Sequence, residues 1–261
     1  MNLSLLHKNA LVGGASAGIG RAVAIELAAL GANVFVLART DSKLIETLHA
    51  LDTSQGQQHD FVVADFSDSQ TLIARVSALL EQRPMHILVN NTGGPPAGPI
   101  VDALPKHFWE AHHNHLICNQ LLAQAVLPGM KAAGYGRIIN IISTSVKEPL
   151  DNLGVSNTTR WAVASWAKTW ANEVGRFGIT VNNVLPGYTA TGRLDEIIQK
   201  RAAASHLDAD EVAEQFKAHV PLRRFAAPSE VAAAVAFLAS PAAGYIHGVN
   251  LPVDGGRTRS L

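Results

Sequence analysis

The residues best suited to chemistry begin at Leu11–Gly20, which read Leu-Val-Gly-Gly-Ala-Ser-Ala-Gly-Ile-Gly. An apolar run, Ala10-Leu11-Val12, enters this stretch, and a helical pattern carrying Val23, Ile25, Leu27 and Leu30 leaves it. Strand, glycine turn and helix form the opening unit of a dinucleotide-binding fold. Glycines let the backbone approach a pyrophosphate with no Cβ in the way, and the helix N-terminus offers unpaired N–H groups and a partial positive charge. The spacing is Gly14-x-x-x-Gly18-x-Gly20, and taken alone it also fits a glycine-rich loop that holds nothing. A second group of candidates lies further on. His112, His113 and His115 invite a metal, but no second cluster with ligand spacing accompanies them. A solvated or subunit-facing helix is the simpler reading, and no metal is expected. His115 on its own is of interest because a histidine can shuttle protons near neutral pH.

The elements that must position these residues alternate strand and helix along the whole chain, with no repeat, linker or low-complexity tract. Strands are expected at Asn33–Ala38, His59–Ala64, His86–Val89, Arg137–Ile142, Ile179–Leu185 and Val249–Pro252. Helices are expected at Asp41–Leu51, from Ser67 or Asp68 (either could cap it) to about Gln82, across Pro105–Met130 as one or two pieces, at Asn157–Arg176 and at Ser229–Ala239. Residues 193–219 form a charged, alanine-rich helical insert. This βαβ alternation implies an α/β fold: a single Rossmann-type domain over residues 1–261, a doubly wound parallel sheet between two helical layers. Ligands then sit at the carboxyl ends of the strands, where the loops at 14–20, 39–40, 65–66, 91–94, 143–145 and 186–191 lie.

Composition narrows the function. Lys plus Arg and Asp plus Glu number 21 each, so nothing electrostatic points to nucleic acid or an anionic membrane. Cys118 is the one cysteine, which excludes an intramolecular disulfide and Cys-x-x-Cys sites. No apolar run approaches membrane-spanning length, and Met1–Lys8 does not read as a signal peptide. A cytoplasmic protein is expected.

Together the loops resemble those of the short-chain dehydrogenase/reductase family, in particular 3-oxoacyl-carrier-protein reductases. The resemblance runs from about Leu6 to Gly256. It rests on Ala17-Gly18-Ile19-Gly20, Asn90-Asn91-Thr92-Gly93, Pro186-Gly187 with Thr189 and Thr191, Val231–Ser240 and Asp254-Gly255-Gly256. It implies an NAD(P)(H)-dependent oxidoreductase acting on a small carbonyl or alcohol substrate, assembled as a homodimer or homotetramer. Gly14, Ser16, Ala17, Gly18, Ile19 and Gly20 would cradle the pyrophosphate. Asp65 would meet the adenine amino group with Phe66 beside the ring, and Asn91 and Gly93 would line the adenosine ribose. Pro186, Gly187, Thr189 and Thr191 would hold the nicotinamide carboxamide. An acidic residue ending the second strand would bind both ribose hydroxyls, but Arg39 stands there, and a guanidinium suits a 2′-phosphate. NADP(H) is therefore expected ahead of NAD(H), although Ala17 supplies no second basic residue.

The chain departs from the family where the chemistry is done. The family pattern is a serine, a tyrosine thirteen residues on, and a lysine four beyond that. Ser143 fits the first position, but Ser156 stands at the tyrosine and Arg160 at the lysine. An aliphatic hydroxyl is shorter than a phenol and a far poorer acid at pH 7. Arg160 can hold ribose hydroxyls but does not deprotonate. The family's upstream asparagine is replaced as well: gap-free counting puts His115 there, with Asn114 one residue off. His115 and then Tyr188, just after Pro186-Gly187, are the candidate proton donors. Packing and helix capping are the plain alternatives for Ser156 and Arg160, and a loop aromatic covering the cofactor is the alternative for Tyr188. Trp161, Trp166 and Trp170 read as core or subunit-contact residues. Two functions follow from these residues: a reductase with a non-standard proton donor, or a nucleotide-binding homologue that has lost hydride transfer and serves as a sensor or partner subunit.

Overall fold

The computed structural model describes residues 1–260, and its centre is a sheet whose inner strands are buried and whose edge strands are partly exposed. The strands are β1 (Asn9–Gly13), β2 (Asn33–Ala38), β3 (Asp60–Val63), β4 (Ile87–Asn90), β5 (Gly136–Ile141), β6 (Ile179–Pro186) and β7 (Asn250–Val253). All pair in parallel, in the order β3-β2-β1-β4-β5-β6-β7. Strand order reverses between β1 and β4, so a crevice opens above their carboxyl ends, the place where such folds take ligands. The α/β reading and the element order expected from the sequence hold, with ends moving by a few residues.

One face of the sheet is covered by α1 (Gly18–Ala29), α2 (Asp41–Leu48) and α9 (Pro228–Ala239). Val23, Leu27, Val231 and Val235 there lie fully buried against Val12, Val36 and Val89. The other face carries α3 (Ser69–Gln82), α5 (Cys118–Ala133) and α6 (Gly154–Val174), whose Leu72, Val76, Leu122 and Ala167 meet Leu11, Leu88 and Ile138. Asp68 is the residue that caps α3, accepting from the Thr71 amide at 3.1 Å. The stretch expected as one or two helices is α4 (Pro105–His112) running through a single π turn, His113–Ile117, into α5. Such a turn widens the helix locally and is frequent at functional sites. The insert resolves into α7 (Gly192–Ser205) and α8 (Ala209–Ala218), parted at His206, whose φ is +54°. It has its own small core of Leu194, Ile198, Ala202 and Val212, packed on Tyr188, Phe216 and Phe225.

A row of asparagines pins the sheet below the crevice. Asn90 donates to Asn140 at 2.8 Å, Asn140 to Asn183 at 2.8 Å and Asn183 to Asn250 at 2.7 Å, one residue on each of β4 to β7. Each pair faces across in register, so a slip of one residue would break the whole row. Among the described residues no helix is long and apolar enough to cross a membrane.

Candidate active site

The glycine loop leaves β1 and turns into α1 under tight constraint. Gly14 has φ +59°, a region that side chains disfavour. A Cβ on Gly20 would run into the Gly14 carbonyl and lie 2.7 Å from Asn91 Nδ2. The N-cap position of α1 is Ala17, exposed and with no side-chain hydrogen bond, so the first amides of the helix are uncapped. An uncapped helix start over a Cβ-free cradle fits the pyrophosphate of a dinucleotide. Ser16 and Gly18 lie half-buried in the loop, while Ile19 anchors it on the core. Thr191 approaches from the far side, with its Cγ2 3.2 Å from where a Cβ of Gly18 would stand.

Arg39 stands at the end of β2 with its side chain 75% exposed, held only by an ion pair to Asp65 at 3.9 Å. A loosely held cation at this corner is free to take a phosphate. Asp65 also accepts from the Ser67 amide at 2.9 Å. The Phe66 ring is buried in the core and reaches to within 3.2 Å of a Cβ built on Gly13. Asn91 spends its amide on the loop itself, donating to the carbonyls of Gly13 at 3.1 Å and Gly14 at 3.4 Å. It fixes the cradle from β4, whereas Gly93 is exposed with nothing above it.

Past β4 lie the residues in question. Ser143 ends β5 and caps a short 3-10 turn, Thr144–Val146, its Oγ accepting from the Ser145 amide at 3.1 Å. That bond uses a lone pair and leaves the hydroxyl hydrogen free to be donated. Ser156 lies half-buried in the first turn of α6, and Arg160 lies one turn on, fully within the protein. The Arg160 Nη1 donates to the Ile141 carbonyl at 3.1 Å, while its Nε is buried with no partner. None of the ion pairs among the described residues includes Arg160. Burial pushes its pKa down to about 10, so it remains a cation at neutral pH. A buried cation lacking a carboxylate, with a donor to spare, fits the ribose hydroxyls of a cofactor.

His115 occupies the π turn, 3% exposed. Burial first and the Arg160 cation second hold it well below its usual 6.5, and a backbone hydrogen bond with Gly93 opposes them only in part. At neutral pH it is therefore an uncharged imidazole, able to relay a proton but carrying no spare one. That fits the expected part of His115 as a proton shuttle. Tyr188 is held by packing. Its ring stacks on Phe216 with centroids 4.8 Å apart, meets Phe225 edge-on at 6.2 Å, and is covered by the Arg257 guanidinium at 4.6 Å. It is a packing residue of the insert. The chain's other tyrosines lie elsewhere: Tyr135 donates to the Ala239 carbonyl at 2.6 Å, and Tyr245 is fully exposed.

The loop after β6 brings Pro186, Gly187, Thr189 and Thr191 to the same crevice. Thr189 is buried, its hydroxyl bonded to the Gly187 carbonyl at 3.3 Å. Arg193, at the start of α7, reaches over to the Pro95 carbonyl at 2.8 Å and ties the insert to the loop after β4. Sequence reasoning missed this contact, since 98 residues separate the partners and no local pattern announces it. Among the described residues no group of three metal-ligating side chains gathers, and His112 instead bonds the Phe108 carbonyl at 3.0 Å and lies 3.3 Å from Thr159 Oγ1.

The comparisons with known proteins agree with this geometry. Residues 14–258 match the family model described as enoyl-(acyl carrier protein) reductase. The chain is 35% identical over 264 residues to a 3-oxoacyl-acyl-carrier-protein reductase of Pseudomonas aeruginosa, covering 97% of this chain and 98% of that protein. The structure of L-sorbose reductase from Gluconobacter frateurii, complexed with NADPH and L-sorbose, superposes with a TM-score of 0.91 at 30% identity over 100% of both chains. A variant of the actinorhodin polyketide ketoreductase with NADPH superposes with a TM-score of 0.90 at 31% identity, over 97% of each chain. The chain belongs to the short-chain dehydrogenase/reductase family of oxidoreductases.

Proposed function

We propose that this protein is an NADP(H)-dependent reductase of small carbonyl compounds, of the 3-oxoacyl type, whose proton delivery differs from the usual phenol. The observation that carries the reading is the intact cradle beside the altered acid. Gly14, Gly20 and the uncapped start of α1 would hold the pyrophosphate, Arg39 the 2′-phosphate, and Arg160 the nicotinamide ribose. The reduced nicotinamide supplies the hydride.

The chain's own residues must hold the carbonyl oxygen and bring it a proton. Ser143 has its hydroxyl hydrogen free for that oxygen, because the Ser145 amide already binds the lone-pair side. A neutral serine hydroxyl stabilises a developing alkoxide without protonating it. Neither Ser156 nor Arg160 is an acid at pH 7, so the proton comes from water, with the buried neutral His115 as a relay. The oxidation direction reverses these roles.

The sensor alternative draws nothing from the relatives described above, each of which is named a reductase. The finer expectations of assembly and place stand within the same proposal. A groove of about 1150 Å³ runs between α5 and α6, walled by Trp166, Trp170, Leu127 and Phe177. It suits a second copy of the chain, as a dimer or tetramer in the cytoplasm. The test of function is NADPH oxidation against 3-oxoacyl thioesters and simple ketones, beside NADPH binding by fluorescence. Slow, saturable turnover with tight binding is expected. Tight binding with no turnover of any carbonyl would overturn the reductase reading.

A further inference from the structure

The segment after β7, Asp254–Ser260, touches three parts of the site at once: the Ser143 turn, the loop after β6 and the insert. It grips the Ser143 turn at both ends. Arg257 Nη1 donates to Thr144 Oγ1 at 3.4 Å, and Glu148 Oε1 accepts from the amides of Arg259 at 2.8 Å and Ser260 at 3.1 Å. β7, from which the segment leaves, is fastened to the loop after β6 by the Gly187 amide donating to the Val253 carbonyl at 3.0 Å, and Asp254 at the segment's start packs against Gly187, 2.7 Å from where a Cβ there would stand. The segment fastens to the insert through the Arg257 guanidinium lying 4.6 Å over the Tyr188 ring, which also stacks on Phe216 of α8. Its own shape is fixed by Asp254, which accepts from the Gly256 amide at 3.0 Å and the Thr258 amide at 2.8 Å.

We infer that Arg257 and Glu148 are positioning residues, and that through them the 254–260 segment holds the Ser143 turn at a set distance from the cofactor loop and the insert. The need for such a hold is physical. Ser143 caps a 3-10 turn of only three residues, an element with few backbone bonds of its own, so contacts from outside it help set where the hydroxyl stands. The inner side of the turn is already fixed by α6, where Trp161 Nε1 donates to the Ser145 carbonyl at 2.9 Å. Arg257 suits the task because a planar guanidinium can lie flat on a ring while an edge nitrogen still donates. The same guanidinium links the Tyr188–Phe216 stack of the insert to Thr144 and so to the serine beside it. The importance for turnover rests on the reductase reading, whereas the hold itself does not.

The experiment takes the full chain with Arg257→Ala, Glu148→Ala, both together, and the conservative Arg257→Lys and Glu148→Gln. Hydrogen exchange of the 143–148 amides and steady-state kinetics are followed well below the melting temperature. Exchange should quicken at 143–148 in both alanine variants while the glycine loop stays protected. The kcat/KM for the carbonyl substrate should fall about tenfold, chiefly in kcat, with NADPH affinity within about twofold. The double variant should be no worse than the poorer single one, Glu148→Gln should restore most of the loss, and Arg257→Lys, which lacks the planar fork, should restore less. Unchanged exchange at 143–148, or an NADPH affinity that falls as far as kcat/KM, would overturn the inference. Faster exchange in a protein that turns over no carbonyl would support the hold and instead refute the proposed function.

Discussion

The two sides of the crevice have been treated differently. On the β1–β2 side the proposed cradle is mostly backbone, a Cβ-free turn and an uncapped helix start, clamped by the Asn91 side-chain amide from just past β4. On the β4–β6 side function depends on which side chain stands at a given spot. There the serine and a buried cation remain, but no phenol does. The contrast teaches that binding the cofactor and protonating the product are separable demands. The first is met by chain geometry that tolerates change around it, and the second is lost with one ring.

The contrast can be broken most strongly from the second side. Replacing Ser156 by Tyr and Arg160 by Lys together should raise turnover about a hundredfold or more, because a positioned acid supplies roughly 10²–10⁴ in rate. Tyr alone should gain less, since its acidity then depends on a guanidinium of different reach. A folded double variant that binds NADPH yet gains nothing would show that the phenol is not what limits this site. From the first side, Arg39→Asp should weaken NADPH binding by about tenfold, an exposed charge-assisted contact being worth little more. Comparable affinities for NADPH and NADH in the unaltered protein would remove Arg39 from the account.

The smallest effect concerns stability. His115 is held below 6.5 in the folded protein, first by burial, so below that pH the unfolded chain binds a proton that the folded one refuses. Stability must therefore fall as the pH drops below about 6.5, by at most about 1.4 kcal/mol per pH unit for one full proton. His86 is shifted the same way by burial and contributes in parallel. His115→Asn should flatten the decline of melting temperature between about pH 7 and 5 without abolishing it. An identical decline in the variant would mean that His115 is not the buried neutral group described.

The cofactor side was legible in the sequence because its signals are local. Strand, glycine turn and helix follow within a dozen residues, and Arg39 ends a strand whose apolar run is plain. The positions of Ser143, Ser156 and Arg160 were legible for the same reason, through spacing along β5 and α6. Their environments were not. Nothing local says that Arg160 is buried without a carboxylate, that His115 sits in a π turn under its field, or that Tyr188 packs against Phe216 and Arg257. The burial of the Phe66 ring against Gly13 was not legible either, because a loop aromatic and a core aromatic look alike in sequence. The ties of Arg257 to Thr144 and of Arg259 to Glu148 span 113 and 111 residues, beyond any reading of spacing.

The central claim is that the cofactor cradle is complete while the proton must come from solvent. It is tested most directly on the unaltered protein, saturated with NADPH and a 3-oxoacyl thioester. The concentration of a small buffer acid is varied at constant pH and ionic strength. With no resident acid at the carbonyl oxygen, the rate should climb with buffer acid, and the Ser156→Tyr, Arg160→Lys protein should lose that dependence. A rate that ignores buffer acid and already equals that of the double variant would contradict the claim, and would place an internal acid in this site.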